Sequence, residues 1–317
     1  MSRSASENPV AVSIVIATRN RRDELRRALL SCASQDCRHV EISVYDDNSD
    51  DGTVEMLADE FPQVLIHRPS ERVGYITLRN RAYQDTSASF VLSMDDDAFL
   101  TDRSTLSALL DLMEADPRIG ALAIPYLEVS PEGRATRSSD TSPGSELKSF
   151  VGTAHLCRVS AVREVGGYRD FLVHQGEERD LCIRLRASGW SIRMASAPPI
   201  VHLVSPNRDR SRMHRYGVRN QVLYDFFYTP WFITPVVAAA NVCRLLAYRV
   251  EAGWIARTLV YAMEGVRACW TYREYRSPLT FAAYRSHIAL PGHGPHYIDK
   301  TELPSPCGAH TSLVAVT

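Results

Sequence analysis

The feature that most limits what this chain can fold into is a regular alternation of apolar runs and helical repeats through its first hundred residues. Val12 to Thr18 (VSIVIAT) is a short apolar run, and RRDELRRALLSCASQ behind it sets Leu25, Ala28, Leu29 and Cys32 on one helical face. The pair of signals then repeats. EISVYDD (Glu41 to Asp47) precedes DGTVEMLADEF, QVLIHR precedes GYITLRNRAYQDT, and SFVLSMDDD closes the series. Strands separated by helices in this way form βαβ units and predict an α/β fold with a mainly parallel sheet flanked by helices.

Further on, the spacing predicts a helix from Ser104 to Ala115 and a strand over IGALAIPYLEV. Ser130 to Ser145 is rich in Ser, Thr, Gly and Pro and reads as a mobile surface loop, of a length common in lids and binding loops. SFVGTAHLCRVSAVREVGGYRD reads as a strand and short helix closed by Gly166-Gly167. GEERDLCIRLRASGW is a helix ended by Gly189, and IRMASAPPIVHLVS a last strand region carrying His202. From about Pro206 the chain is helical and basic, then apolar, and residues 291–317 read as a flexible tail.

A formal charge of −1 argues against a general nucleic-acid binder, so any basic patch is local. The seven cysteines are scattered and contain no C-x-x-C pair, which predicts reduced thiols rather than a disulfide framework. The polar N-terminus has no signal-peptide core, and a cytoplasmic protein is expected. Phe226 to Cys243 carries no charge over 18 residues, the lower edge of a membrane span, but Pro230 and Pro235 interrupt it. Arg244, Arg249, Glu251, Arg257, Glu264 and Arg267 are interspersed beyond it. Two readings stay open: an interfacial amphipathic surface on the inner face of a membrane, or helices covering the protein's own core.

In such sheets, ligands bind beyond the carboxyl ends of the strands. Thr18 and Arg19 fall there after the first strand, Asp46 and Asp47 after the second, and Asp95, Asp96 and Asp97 after the fourth. Adjacent carboxylates about 4 Å apart repel by about 4 kcal/mol at an effective dielectric near 20. One such cluster can be a turn in which Asp bonds its own backbone. Two clusters with a third acidic pair downstream point instead to a hard cation, Mg²⁺ or Mn²⁺, sharing its shell with substrate phosphates.

VSIVIATRNRRDELRRALLS, VYDDNSDDGT, GYITLRNRAY, LSMDDDAFL and GEERDLCIRLRASGW, in that order from about Val12 to His202, resemble the motifs of the family 2 glycosyltransferases. The resemblance implies the GT-A fold, with a catalytic domain over residues 1–205, a nucleotide-binding part over 10–100 and an acceptor part over 101–205. A helical region over 206–290 follows. Thr18, Arg19 and Asp46 would hold base and ribose, with Arg79 a neighbour. Asp95 would sit near ribose and metal, Asp97 would bind the metal, and Asp96 is the unassigned middle acid of the donor site. His202 matches a position that supplies some relatives with a metal or diphosphate ligand. Many relatives have Glu-Asp where this chain has Glu177-Glu178; by position the base is Glu178, with Glu177 the alternative. Acids in a first helical turn also complement its dipole, by about 0.3–1 kcal/mol.

The activity so implied is metal-assisted, inverting transfer from a UDP- or dTDP-linked sugar to the hydroxyl of a glycan, lipid-linked or small-molecule acceptor. Two alternatives stand beside it: a sugar-phosphate nucleotidyltransferase, against which the glycine-free IATRNRRDEL argues, and a non-catalytic sugar-nucleotide-binding protein. No G-x-G-x-x-G follows the first strand, which disfavours an NAD enzyme. Arg208, Arg210, Arg212, Arg215 and Arg219 could clamp a diphosphate, meet anionic lipid or form a solvated face.

Overall fold

The computed structural model describes residues 11–130, 135–138, 141–205, 209–247, 253–294 and 296–298. In chain order the elements are β1 (Val12–Thr18), α1 (Arg22–Ala33), β2 (Val40–Asp46), α2 (Thr53–Glu60), β3 (Leu65–His67), α3 (Tyr75–Asp85), β4 (Phe90–Asp95), β5 (Ala98–Leu100), α4 (Thr105–Ala115), β6 (Ile119–Ala123) and β7 (Tyr126–Val129). There follow β8 (Ala135–Arg137), β9 (Ala154–Arg158), α5 (Val159–Glu164), α6 (Glu177–Ala187), β10 (Ser191–Met194), β11 (Ile200–Leu203), α7 (Arg210–Tyr228), α8 (Thr234–Ala247), α9 (Trp254–Thr271), α10 (Phe281–Ala289) and β12 (His296–Ile298).

Seven strands make the main sheet, in the order β10-β6-β9-β4-β1-β2-β3. The expected parallel pairing holds for β1 with β2 and β4, β2 with β3, and β6 with β10. Strand β9 runs antiparallel between β4 and β6. Between β6 and β9 the described residues hold β7 and β8 of a second sheet and no helix, and antiparallel neighbours need no helical crossover.

Side chains alternate across the sheet, so each face has its own core. Ile14 and Ile16 of β1 pack with Leu25 and Leu29 of α1, Leu57 of α2 and Leu106, Leu109 and Met113 of α4. Val15, Tyr45 and Val91 face the opposite way, onto Leu78 of α3, Leu181 and Leu185 of α6, and Leu223, Phe227 and Tyr228 of α7. The expected boundary at residue 205 therefore needs correcting: α7 is part of the core of the domain that precedes it.

A second sheet, β12-β8-β7-β11-β5, lies at the end of the first. Three segments lead from the first sheet into the second: β4 to β5 across Asp96-Asp97, β6 to β7 across Ile124-Pro125, and β10 to β11. The single strand expected over IGALAIPYLEV thus splits at Pro125, which has no N–H to donate to a ladder. The stretch expected to be loop from Ser130 contains β8, while 131–134 and 139–140 lie outside the described residues. The tail also needs amendment at its start. His293 is buried and accepts from the Val151 N–H at 3.0 Å, and β12 covers the edge of β8, satisfying backbone groups that an edge strand would leave unpaired. Residues 299–317 lie outside the described residues.

Among the described residues no helix is long and apolar enough to cross a membrane, and Cys32, Cys37, Cys157, Cys182, Cys243 and Cys269 are free thiols.

Candidate active site

The two-residue turn between β4 and β5 sets three carboxylates where the two sheets meet, and each is relieved of its neighbours differently. Asp96 points inward. It accepts from the Thr18 hydroxyl at 2.8 Å and from Arg21 Nη1 at 2.9 Å. Asp97 accepts from the same Arg21 nitrogen at 2.6 Å, and its other oxygen faces His202 Nε2 at 3.1 Å. Asp95, with 37% of its side chain exposed, opens outward while Arg79 holds its Oδ1 at 2.8 Å.

His202 reaches the turn from the second sheet. Its β11 register pairs it with Ala98 of β5 on one side and Glu128 of β7 on the other, and Nδ1 lies 2.9 Å from Glu128 Oε2. Burial disfavours the imidazolium, but the hydrogen bonds to Asp97 and Glu128 outweigh it and lift the His202 pKa to about 9. His202 is therefore protonated at neutral pH, a buried cation between two carboxylates. Burial also works to raise Asp97, yet His202 and Arg21 prevail and hold it below the ordinary carboxylate range. For Asp96 burial wins, assisted by Asp97 and opposed by Arg21, and its pKa rises to about 7.

One ligand atom from each of Asp95, Asp97 and His202 lies within 4.8 Å of the others. Two carboxylate oxygens and an imidazole nitrogen are a donor set that fits a divalent cation. Second-sphere partners are in place as well: Glu128 orients the imidazole and Arg79 orients Asp95.

The acid pair opens α6. Glu177 is buried, and its Oε1 accepts from the Tyr75 hydroxyl, which also lies 3.2 Å from His174 Nδ1. Its Oε2 is buried with no hydrogen-bond partner among the described residues. Glu178 is more open, with 17% of its side chain exposed. Its Oε1 sits 3.8 Å from Arg79 Nη1 and so close to Gly152 that a Cβ there would collide with it. Partial burial and the neighbouring Glu177 push the Glu178 carboxyl well above its ordinary range, and Arg79 pulls against them. Arg79 is buried and donates to both Asp95 and the Gly152 carbonyl, so one guanidinium ties the cation-type cluster to the acid pair.

The remaining expected residues fall as follows. Thr18 spends its hydroxyl on Asp96. Arg19 follows it in the chain, and its Nε is buried with no hydrogen-bond partner among the described residues. Asp46 is fully buried, takes the Ser49 N–H and hydroxyl, and lies 3.4 Å from Arg68. It locks the turn after β2 rather than joining the acids at the end of β4. In the five-arginine stretch, Arg215 pairs with Glu264 at 2.8 Å and Arg219 donates to the Phe171 carbonyl, while Arg208 lies outside the described residues. Arg21, Glu128, Tyr75 and Gly152 were not anticipated. For Arg21 a signal existed, since it lies two residues beyond Arg19 in the same strand-end loop. For the others, the partners are 74 residues away in the case of Glu128 and 102 in the case of Tyr75.

Residues 13–166 match the sequence profile of glycosyl transferase family 2. The pre-mycofactocin glycosyltransferase of Mycobacterium tuberculosis is 28% identical over 211 residues, which span 60% of this chain and 42% of that protein, so the chain matches less than half the length of this relative. Two solved structures share the fold. The mannosyltransferase PcManGT of Pyrobaculum calidifontis, in complex with GDP-Man and Mn²⁺, superposes with a TM-score of 0.53 at 18% identity, covering 89% of this chain and 88% of that one. TarS residues 1–349 of S. aureus, in complex with UDP-GlcNAc, superposes with a TM-score of 0.62 at 15% identity, covering 81% of each chain. The fold is thus the GT-A fold that the sequence motifs implied. The segment 13–166 is thus the part of the chain that is similar to glycosyl transferase family 2.

Proposed function

We propose that the protein transfers a glycosyl group from a nucleoside-diphosphate sugar, UDP- or dTDP-linked, to an acceptor hydroxyl with inversion. The observation that carries this is the joining of two chemistries by Arg79. On one side is a cation-type ligand set, Asp95, Asp97 and His202; on the other is a partly exposed carboxylate, Glu178.

Glu178 is the base. Glu177 is 2% exposed and committed to Tyr75, whereas Glu178 can meet an incoming hydroxyl. Burial and the neighbouring Glu177 raise its pKa, which makes this carboxylate a stronger base than an exposed glutamate. As Glu178 takes the acceptor proton, the acceptor oxygen bonds to the anomeric carbon from the face opposite the diphosphate. The bond from that carbon to the diphosphate oxygen breaks, and the electron pair leaves with the diphosphate. Arg19, whose Nε is unspent, is placed at the strand end to meet that negative charge. A divalent cation, Mn²⁺ or Mg²⁺, held by Asp95, Asp97 and His202 would offset the same charge.

The test is thermal-shift screening of the full chain against UDP-, dTDP- and GDP-sugars with Mn²⁺ or Mg²⁺, followed by assay of nucleoside diphosphate release. Stabilisation by a uridine or thymidine diphosphate sugar that needs the cation is expected. No response to any nucleotide sugar would overturn the proposal.

A further inference from the structure

Helix α9 packs on α7 and leaves a second apolar face uncovered. Against α7, its Gly265 rests on Val222 and the Arg219 carbonyl, Thr258 lies 2.9 Å from His214 Nε2, and Glu264 pairs with Arg215, while the Trp254 and Tyr261 rings pack on His214 and Ala268 joins the core. Its outward side carries Ile255, Leu259, Met263, Val266 and Trp270, spaced four, four, three and four residues apart on one face. Met263 and Val266 are each 55% exposed and Trp270 is 75% exposed. Trp231 and Phe232, which pack edge to face, and Phe281, whose ring centre lies 5.8 Å from that of Phe232, are exposed as well. A helix that leaves five large apolar side chains exposed along one face is arranged for an apolar partner.

Charge chooses the partner. Residues 206–290 contain twelve arginines, no lysine and five acids, a surplus of seven positive charges in a chain whose net charge is −1. Arg273 lies over the Trp270 ring at 5.1 Å and Arg276 over Phe226 at 4.6 Å, so guanidinium groups border the apolar surface. A second copy would bring the same positive surplus against this one. A layer of anionic headgroups over acyl chains matches both components, with aromatic rings at the depth where tryptophan is favoured. We infer that the outward face of α9, together with Trp231, Phe232 and Phe281, docks on an anionic lipid surface, lying in the interface rather than crossing it. This proposal is independent of the transfer reaction.

The test uses the full chain with phosphatidylcholine vesicles, with and without phosphatidylglycerol, in sedimentation. Binding to the anionic vesicles is expected, weakening as salt rises, with phosphatidylcholine alone retaining less. The double variant Met263→Glu/Val266→Glu changes only exposed positions and is expected to lower vesicle binding by about tenfold or more at unchanged melting temperature. Failure of the unaltered chain to sediment with anionic vesicles at low salt would overturn the proposal. So would light scattering showing a dimer that the double variant dissociates while vesicle binding persists.

Discussion

Asn220 Nδ2 lies 2.7 Å from the carbonyl oxygen of Gln175, 45 residues earlier in the chain. The same amide lies 2.8 Å from the Leu172 carbonyl and 2.9 Å from that of His174, so buried Asn220 of α7 ties down the loop that delivers Glu177 and Glu178. That loop is strained. Val173, Gln175 and Gly176 all have positive φ, at 63°, 68° and 90°, and for a β-branched residue such a conformation persists only where its surroundings enforce it, at about 1–3 kcal/mol.

Asn220→Ala removes the donor from three carbonyls and is expected to cost about 1–3 kcal/mol of stability. With the loop released, Glu178 shifts, and kcat is expected to fall by about tenfold or more, since displacement of about 1 Å is enough for that. The nucleotide site at β1 and β4 is untouched, so donor KM should stay nearly constant. A kcat unchanged in a variant that still folds would show that the acid loop does not depend on Asn220.

Gly152→Ala places a methyl group where Glu178 Oε1 now sits. Loss of activity is expected, and Glu178→Gln alone should remove about 10² to 10⁴ of the rate while leaving nucleotide affinity in place. The two changes should not add: once Glu178 has become Gln, the alanine has little left to remove. A double-variant cycle on nucleoside diphosphate release measures this, and additive losses would place Gly152 outside the acid's setting.

His202 fixes the expected pH dependence. Its folded pKa of about 9 exceeds the ordinary 6.5, so its contribution to stability is complete below pH 6.5 and is lost as pH rises toward 9. The shift corresponds to about 3 kcal/mol at 1.36 kcal/mol per unit. A bound cation cancels that slope, because it needs the neutral imidazole and must displace the proton; its affinity should rise about tenfold per unit through this window and offset the loss. Melting temperatures in EDTA and in Mn²⁺ across the same pH series should therefore diverge. Parallel curves would remove His202 from the ligand set, and His202→Gln should flatten the metal-free curve.

The pattern of legible and illegible residues has a physical basis. The βαβ half of the fold, the helix α1 face of Leu25, Ala28, Leu29 and Cys32, and the acids after β4 are local patterns, read from spacing within a dozen residues. Strand β9 and the split at Pro125 depend on which sheet a strand joins, and that is decided by contacts far along the chain. The same holds at the site. Asp95, Asp97 and His202 were legible as motif positions, but Glu128, Tyr75 and Asn220 act through partners 45 to 102 residues distant. Asp46 shows the converse: its position after β2 was clear, while its commitment to Ser49 and Arg68 required the turn's geometry.

Arg21 offers the last prediction, because it occupies the role a cation would take. Its Nη1 neutralises Asp96 at 2.9 Å and Asp97 at 2.6 Å, and its own pKa is raised because the two carboxylates outweigh the effect of burial. Arg21→Ala leaves two adjacent, nearly buried carboxylates without that charge. Since 29% of the Arg21 side chain is exposed, the loss is below the 3–5 kcal/mol of a fully buried pair, about 1–3 kcal/mol. A divalent ion restores the missing charge and no longer competes with a guanidinium for Asp97 Oδ2. Mn²⁺ should therefore raise the melting temperature of Arg21→Ala more than that of the unaltered protein, and titration calorimetry should find the variant binding the ion more tightly. Equal or weaker binding would mean that Arg21 supports the ligand set rather than standing in for the ion.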